Sequence, residues 1–176
     1  LVALILRDKS SSYQATPDGL EKCLIGEETR VEQLKISIPT LLTQLRLTQE
    51  SSPESEVKYF QGVEGLKQML WNVVTQKNEF VGLGYQNWNT TVGKRYADKL
   101  RQKILNNKLQ SREILNEVDD SFEFTNIGKE YGQVYQYRAI DPNMLEIKHD
   151  TYIYGDVFAY YYHYQGEYFG VEIHNK

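Results

Sequence analysis

Residues 12–47 read SYQATPDGLEKCLIGEETRVEQLKISIPTLLTQLRL, and this stretch determines how the chain is organised. A short strand over 12–16 ends at Pro17, a residue well suited to the first turn of a helix. Apolar residues then recur in steps of four and three, with Glu27 filling one polar slot. This spacing is typical of a coiled-coil seam. We predict a linker helix over 17–47 that joins two copies in a homodimer along Leu20, Leu24, Val31, Leu34, Ile38, Leu41 and Leu45.

The segments on either side of this helix complete the first half of the chain. The apolar run 1–6, the polar turn 7–11 and the strand 12–16 form a predicted hairpin, so residues 1–16 are one unit. Because the chain begins inside a strand, we expect further residues upstream of Leu1. An interior proline removes a helical hydrogen bond, so Pro39 is expected to kink or split the helix near Ile38. The polar segment 48–56, TQESSPESE, is a predicted flexible joint.

The body over 57–176 alternates strands with helices. Strands are predicted over 57–60, 79–84, 109–116 and 133–140, and helices over 63–77 and 90–107. Hairpins follow over 151–173. Both alternating sets of side chains in 157–164 are apolar or aromatic, which is typical of a central strand covered on both sides. We therefore predict an α/β fold with a layered mixed sheet and helices on both faces.

Composition limits the class of protein. With 176 residues and 40% hydrophobic content, the chain can form one domain plus an appendage. Its single cysteine, Cys23, cannot form an internal disulfide, which suits a reducing compartment, so a cytoplasmic location is expected. No stretch is apolar for long enough to cross a bilayer, and no secretory signal pattern is visible.

A basic segment lies within the otherwise acidic chain. The net charge is −4, yet residues 94–112 contain seven basic residues and one acidic residue. Apolar residues at helical spacing give this segment a buried side, so its charges are expected to point away from the core. Two readings stay open, a solvated helix face or a platform for an anionic ligand or nucleic-acid phosphates.

Several segments together resemble one family, the TrmB-like transcriptional regulators. The string 13–17, YQATP, with the leucines that follow is similar to the wing exit and linker of that family, and 38–42, IPTLL, is similar to the end of its linker helix. Residues 57–67, VKYFQGVEGLK, resemble the opening of its C-terminal domain. Residues 153–157, IYGDV, and 166–173, GEYFGVEI, resemble the closing strands.

The resemblance carries implications for fold and partners. It implies a body like a phospholipase-D half unit that binds an effector and dimerises without catalysis. It also implies an upstream winged helix-turn-helix, of which residues 1–16 are the wing remnant. Arg7 and Lys9 at the wing turn would then contact DNA phosphates. Known effectors in that family are often sugars.

A phospholipase-D motif can be tested directly on the sequence. The pattern His-x-Lys-x-x-x-x-Asp matches His149, Thr151 and Asp156 in spacing, but threonine stands where the lysine is needed. Losing that cation removes a charge partner for the reacting phosphate, so we expect no enzymatic activity. The alternative is a degenerate phospholipase-D-type phosphodiesterase. No cofactor is expected, and no metal site either, because His149, His163 and His174 lack ligand partners at suitable spacing.

Aromatic residues suggest where a ligand would bind. The fourteen tyrosines can belong to strands and core or to a sugar-stacking surface, and a free-standing carbohydrate-binding module stays open as a third class. Trp88 lies in a polar loop after a predicted strand, the usual place for ligands in α/β sheets. It is either a pocket wall or a loop anchor. The candidate effector pocket comprises Tyr85, Trp88, His149, Thr151 and Asp156.

Overall fold

The chain divides into two compact units, Leu1–Ser52 and Pro53–Lys176. A computed structural model describes residues 2–7, 10–15, 17–48, 55–119 and 121–175. Each unit has its own secondary structure, and each is described here by itself. Within the described residues, no helix combines the length and the apolar character that a membrane span needs.

The first unit is a hairpin followed by a long helix. Strands β1 (Val2–Arg7) and β2 (Ser10–Ala15) pair antiparallel, from Val2 opposite Ala15 to Arg7 opposite Ser10. The second strand therefore starts two residues before the predicted position. Helix α1 spans Pro17–Thr48, one residue beyond the predicted end. The side chain of Arg7, and all of Lys9, lie outside the described residues.

Helix α1 continues through Pro39, so the expected split near Ile38 is wrong. A proline removes one hydrogen bond of the helix, and the neighbouring turns retain theirs.

The described apolar side chains of the predicted seam are exposed in the single chain. The six members of the seam with described side chains are between 47% and 61% exposed, namely Leu20, Leu24, Val31, Leu34, Ile38 and Leu41. The side chain of Leu45 lies outside the described residues.

The second unit follows the predicted order of elements with shifted ends. Its strands are β3 (Ser55–Gln61), β4 (Glu79–Gly84), β5 (Gln110–Leu115), β6 (Tyr135–Ala139), β7 (Asp150–Tyr154), β8 (Val157–Tyr164) and β9 (Glu167–Asn175). Its α-helices are α2 (Gly62–Val74) and α3 (Lys94–Asn107). A π-helical turn (Asn89–Gly93) and a 3₁₀ helix (Gly128–Gln133) complete it. The helix predicted over 90–107 is thus divided, because Gly93 adopts a φ of 82°.

These strands form one mixed sheet of seven strands in the order β3-β9-β8-β7-β4-β5-β6. Strands β4, β5 and β6 are parallel, whereas β7, β8, β9 and β3 pair antiparallel. The chain crosses from β4 to β5 through α3, as a parallel pair requires. The mixed α/β class expected from the sequence is confirmed, and β4 is the strand at which the parallel and antiparallel halves meet.

Both helices of this unit lie on one face of the sheet. Helix α2 packs against β3 and β9 and also contacts α3. On the other face, Ile153, Phe158 and Ile173 are each at least 42% exposed. Within the described part of this unit, the expectation of helices on both faces is therefore wrong. The prediction came from the apolar and aromatic residues at both alternating sets of positions in 157–164. A tyrosine can pack its ring while its hydroxyl stays in water, so Tyr160 and Tyr162 suit an open face.

The core forms between the helices and the inner face of the sheet. It contains aliphatic residues of α2 and α3, such as Met69, Leu70 and Leu100, against the rings of Tyr152 and Tyr161. A buried carboxylate joins the two layers. Glu172 is fully buried and accepts hydrogen bonds from the amide of Asn72 (2.9 Å) and the hydroxyl of Tyr154 (2.8 Å). His174 lies 3.1 Å away from the same carboxylate. These hydrogen bonds satisfy the buried carboxyl group.

Gly82 tests the junction at the centre of the sheet. In Gly82→Ala the new Cβ would collide with the backbone carbonyl oxygen of Thr151 on β7, which cannot move without breaking the pairing. We expect the free energy of unfolding to fall by at least about 2 kcal/mol, measured by chemical denaturation. Gly84→Ala is the matched control on the same strand, since its close contact is with the end of the flexible Leu115 side chain and its remaining contacts, with the Glu113 carboxyl group, are at ordinary distance. Equal losses in both variants would contradict this account of the junction.

Candidate ligand-binding site

A cavity of about 480 Å³ opens at the carboxyl ends of the parallel strands, on the face that the helices cover. Its walls come from the ends of β4 and β5, the loops that follow them, the strand β6 and the start of β7. Ligands of α/β proteins usually bind outside the carboxyl ends of strands, where neighbouring connections diverge. This location and the volume fit a site for a small molecule.

Aromatic rings form most of the cavity wall. The rings of Tyr131 and Tyr135 are stacked with centroids 5.2 Å apart, and Tyr137 continues the column at 5.5 Å from Tyr135. On another side, the indole of Trp88 donates a hydrogen bond to the hydroxyl of Tyr152 at 2.9 Å. This bond and the edge-to-face contact of the two rings hold Trp88 in place, so the loop after β4 presents a fixed surface.

Arg101 of α3 reaches the cavity from the helix layer and is only 4% exposed. Its guanidinium donates to Asn89 (2.7 Å), Asn87 (3.1 Å) and Asp98 (3.4 Å). It also lies over the rings of Trp88 and Phe124, 5.8 Å and 5.0 Å from their centroids. Burial lowers the pKa of Arg101, and the charge of Asp98 opposes that shift.

Asp98, the charged partner of Arg101, accepts further hydrogen bonds of its own. Burial acts to raise the pKa of Asp98, but hydrogen bonds from Lys94 and the backbone N–H of Asn126 outweigh it and lower the pKa. Lys94 lies 3.0 Å from the Asp98 carboxylate. Arg101 therefore has a counter-charge within its own helix, which it shares with Lys94. The expectation that the charges of the basic segment all point away from the core does not hold for Arg101, which is buried.

Two carboxyl groups, one from the parallel half and one from the antiparallel half of the sheet, contribute to the polar part of the cavity, namely Glu113 and Asp150. The first, Glu113 on β5, accepts a hydrogen bond from the hydroxyl of Tyr135 at 2.8 Å. Burial raises the pKa of Glu113, and the hydrogen bond from Tyr135 and the charge of Arg101 only oppose this in part. Burial and the neighbouring charge of Glu113 also raise the pKa of Tyr135, so its hydroxyl stays protonated and remains a donor.

The second carboxyl group belongs to Asp150 at the start of β7, which is 1% exposed. It accepts hydrogen bonds from the backbone N–H groups of Tyr85 (2.9 Å) and Gln86 (3.3 Å). Burial raises the pKa of Asp150 to about 7, and the charge of Glu113 adds to this against the two backbone donors. The neighbouring Tyr161 carries the one buried hydroxyl, among the described side chains, without a hydrogen-bond partner. Near neutral pH, Asp150 can thus gain or lose a proton.

The structure separates the residues of the predicted effector pocket. Tyr85 and Trp88 line the cavity, but His149, Thr151 and Asp156 do not. The ring of His149 packs 5.2 Å from that of Tyr160 on the open face of the sheet. The side chain of Thr151 shares that face, and Asp156 lies in the exposed turn after β7. The three residues of the phospholipase-D spacing are therefore not brought together around one site.

Sequence reasoning missed most of the cavity lining, including the residues that give the site its character, Arg101, Glu113, Tyr131, Tyr135 and Asp150. A usable signal existed for Arg101, because it follows Ala97 and precedes Ile104 at the helical spacing of buried residues. For Glu113 the signal was its alternation with the buried Ser111. Within the described residues, no group of three or more histidine, cysteine, aspartate or glutamate side chains could hold a metal ion.

Asp150 should make stability depend on pH. Because its pKa is higher in the folded than in the unfolded chain, its contribution is complete below about pH 4 and is lost as pH rises through about 7. Between pH 4 and pH 8, the free energy of unfolding of the wild type should fall by roughly 2–4 kcal/mol relative to Asp150→Asn. Denaturant titrations across this range measure it. Asp156→Asn, in an exposed turn, should follow the wild type, and a wild type parallel to Asp150→Asn would contradict the prediction.

Comparisons with known proteins give similarities among solved structures. No family model matches the chain, and no curated protein matches it. Among solved structures, the chain is similar to TrmBL2, described as an archaeal chromatin protein whose structure shows a novel mode of DNA binding. The TM-score is 0.39 at 12% sequence identity, covering 98% of this chain and 69% of the other.

Proposed function

We propose that this chain is the linker and effector-binding portion of a TrmB-like transcription regulator. In this proposal α1 joins two copies, the body binds a small molecule, and a winged helix-turn-helix upstream of Leu1 contacts DNA in the cytoplasm. The cavity carries the proposal. Its volume of about 480 Å³ suits a small metabolite, and its walls combine aromatic rings with a few converging polar groups.

The cavity residues support binding rather than catalysis. Arg101 is occupied by Asp98 and two asparagines, and Asp150 is held by backbone donors. No nucleophile paired with a base faces the cavity among the described residues. The phosphodiesterase alternative is less favoured because His149 packs beside Tyr160 outside the cavity, and threonine replaces the lysine that would stabilise a phosphate. A carbohydrate-binding module would use the same cavity without the DNA-binding part.

The exposed stripe of α1 supports pairing of two copies. In heptad terms Leu24, Val31 and Ile38 occupy a positions, whereas Leu34 and Leu41 occupy d positions. Two of these a positions, Val31 and Ile38, carry β-branched residues together with leucine at d, the combination that favours two strands in parallel coiled coils. Parallel pairing places the same end of both helices together, and it would bring two upstream DNA-binding parts side by side. Such an arrangement suits binding to a DNA site with two-fold symmetry.

Regulation then follows from two states of the dimer. A ligand shifts an equilibrium only when it binds one arrangement more tightly than the other. The cavity is built by the loops after β4 and β5, together with the start of β7. A ligand that contacts these segments in one arrangement of the dimer would favour that arrangement, and DNA affinity would change with it.

The seam can be tested with matched double variants. In Leu24→Asp with Leu34→Asp, four charges enter the dimer interface, and each lost apolar side chain costs roughly 1.5–3 kcal/mol. We expect monomers by light scattering. The control, Ile25→Asp with Ile36→Asp, removes two apolar residues of the same helix that lie off the seam and are 55% and 77% exposed. It should remain dimeric. A dimer in the seam variant, or a monomer in the control, would refute pairing along this stripe.

The cavity can be tested by fluorescence. The chain has two tryptophans, of which Trp88 lines the cavity and Trp71 does not. In Trp71→Phe the emission reports on Trp88 alone. We expect it to change saturably with at least one class among neutral mono- and disaccharides, sugar phosphates and organic amines. The same compound should leave Trp71 emission unchanged in Trp88→Phe. If none of the three classes of compound changes the Trp88 emission at millimolar concentration, the result would contradict an effector site in this cavity.

A further inference from the structure

We propose that the ligand of this cavity is an organic cation, an ammonium group attached to an apolar body, which is held between aromatic rings and the carboxylates of Glu113 and Asp150. This inference rests on the proposed function, since it names the chemical class of the effector. The evidence for a cationic ligand is the set of charges inside the cavity and the arrangement of the aromatic rings around them.

The cavity is lined by one cationic side chain and five acidic ones. The acidic residues are Glu113, Glu117, Asp119, Glu146 and Asp150. Two of these have partners at the surface. Glu146 pairs with Lys148 at 2.9 Å, and Asp119 accepts from both the hydroxyl and the backbone N–H of Ser121. The excess of negative charge is thus concentrated on the residues without such partners, among which Glu113 and Asp150 are the interior ones.

The single cation, Arg101, cannot balance these two carboxylates. Its guanidinium is already bonded to Asp98, Asn87 and Asn89, and rings flank it on two sides. These contacts engage three of its five N–H groups, and because Arg101 is only 4% exposed, little of the guanidinium can meet an anion from solvent. An anionic ligand would also meet the charge of Glu113, so the cavity is poorly suited to phosphates or carboxylates.

Glu113 and Asp150 have only neutral donors. Glu113 accepts from the hydroxyl of Tyr135, and Asp150 accepts from two backbone N–H groups. Neither forms an ion pair with any described residue. Burying a carboxylate without an opposite charge is unfavourable, and the raised pKa values of both groups reflect this. A bound ammonium group would supply the missing positive charge.

The ring column supplies the second part of a cation site. Tyr131 and Tyr135 are stacked on one wall with Tyr137 tilted beside them, and Trp88, which has Arg101 over one face of its ring, forms another. The faces of such rings attract cations, and rings arranged around a space bind ammonium groups bearing alkyl substituents. The apolar edges of the same rings suit the remainder of the ligand. A neutral sugar could stack on these rings as well, but it would leave both carboxylates without a counter-charge.

Charge is therefore the property to vary in the experiment. The Trp71→Phe chain is titrated with choline and its uncharged isostere 3,3-dimethyl-1-butanol, and with benzyltrimethylammonium and benzyl alcohol, while Trp88 emission is recorded. Each cation should bind about tenfold or more tightly than its neutral counterpart, because only the cation interacts with the carboxylates and the ring faces. Equal affinity within both pairs would overturn the inference.

The pH dependence gives an independent readout. Asp150 faces Glu113 on β5, Tyr161 on β8 and the backbone N–H groups of Tyr85 and Gln86. Glu113 faces Tyr135, Tyr131 and Arg101. A cation favours the ionised carboxylates, so its affinity should rise severalfold from pH 6 to pH 8. The affinity of the neutral compounds should stay constant. A cation affinity that is flat or falls over this range would contradict the proposal.

A charge-removing variant separates the cavity from the ligand class. Glu113→Gln keeps an oxygen that can accept from Tyr135, and it should weaken binding of both cations about tenfold while neutral compounds bind unchanged. The matched control is Glu130→Gln, an exposed glutamate outside the cavity, which should bind as the parent. Thermal unfolding verifies that each variant is folded. If Glu113→Gln does not fold, the isostere pairs and the pH series in the parent chain decide.

The outcomes distinguish the two proposals. If a neutral sugar changes Trp88 emission and the cations do not, the cavity remains an effector site and the inference of a cationic ligand fails. If neither the cations nor the sugars, sugar phosphates and amines change it, both proposals fail. Cation binding that survives in Glu113→Gln at full strength would also overturn the inference, since the carboxylate would then have no part in it.

Discussion

The pairing of β4 with β7 is the contact on which the rest of the body depends. It joins the parallel half of the sheet to the antiparallel half through three residue pairs, and Gly82 permits the close approach of the two backbones. The same pairing sets Asp150 against the loop that follows β4, where its carboxyl receives the N–H groups of Tyr85 and Gln86. The loop with Trp88 is thereby fixed as a cavity wall. Sheet topology and the geometry of the site are consequences of one strand junction.

The cavity contains carboxyl groups whose charged forms are unfavourable in the fold. Asp98 lies against two cations, Lys94 and Arg101, so the fold itself balances the charge of that carboxylate. Glu113 and Asp150 differ because their donors are neutral. Groups that are unfavourable in the free protein but gain a partner on binding are typical of functional sites rather than of structural networks. The proposed cationic effector follows from this contrast between balanced and unbalanced carboxylates within one molecule.

Much of the fold was predictable from periodicity, and the site was not. The heptad spacing predicted the helix now seen as α1, and turn residues such as Gly155 and Gly166 predicted the hairpins of β7, β8 and β9. These features depend on local spacing. The number of layers does not depend on local spacing. Tyrosine suits both the inner face of the sheet, where Tyr152 lies, and the open face, where Tyr160 lies. The cavity was missed for a related reason. It joins residues from several distant segments, and only the pairing of β4 with β7 brings Asp150 next to Tyr85.

The two units obtain their stability in different ways. The body buries the apolar faces of α2 and α3 against its sheet, so it has a core of its own. Helix α1 has 32 residues, but it contains Gly19, Gly26 and Pro39, all unfavourable in a helix interior. Helices are stabilised mainly by packing of an apolar face rather than by propensity, and the seam of α1 is exposed in a single chain. A second copy packed along that seam would supply the missing burial. In the proposed dimer, this packing would therefore stabilise the helix itself.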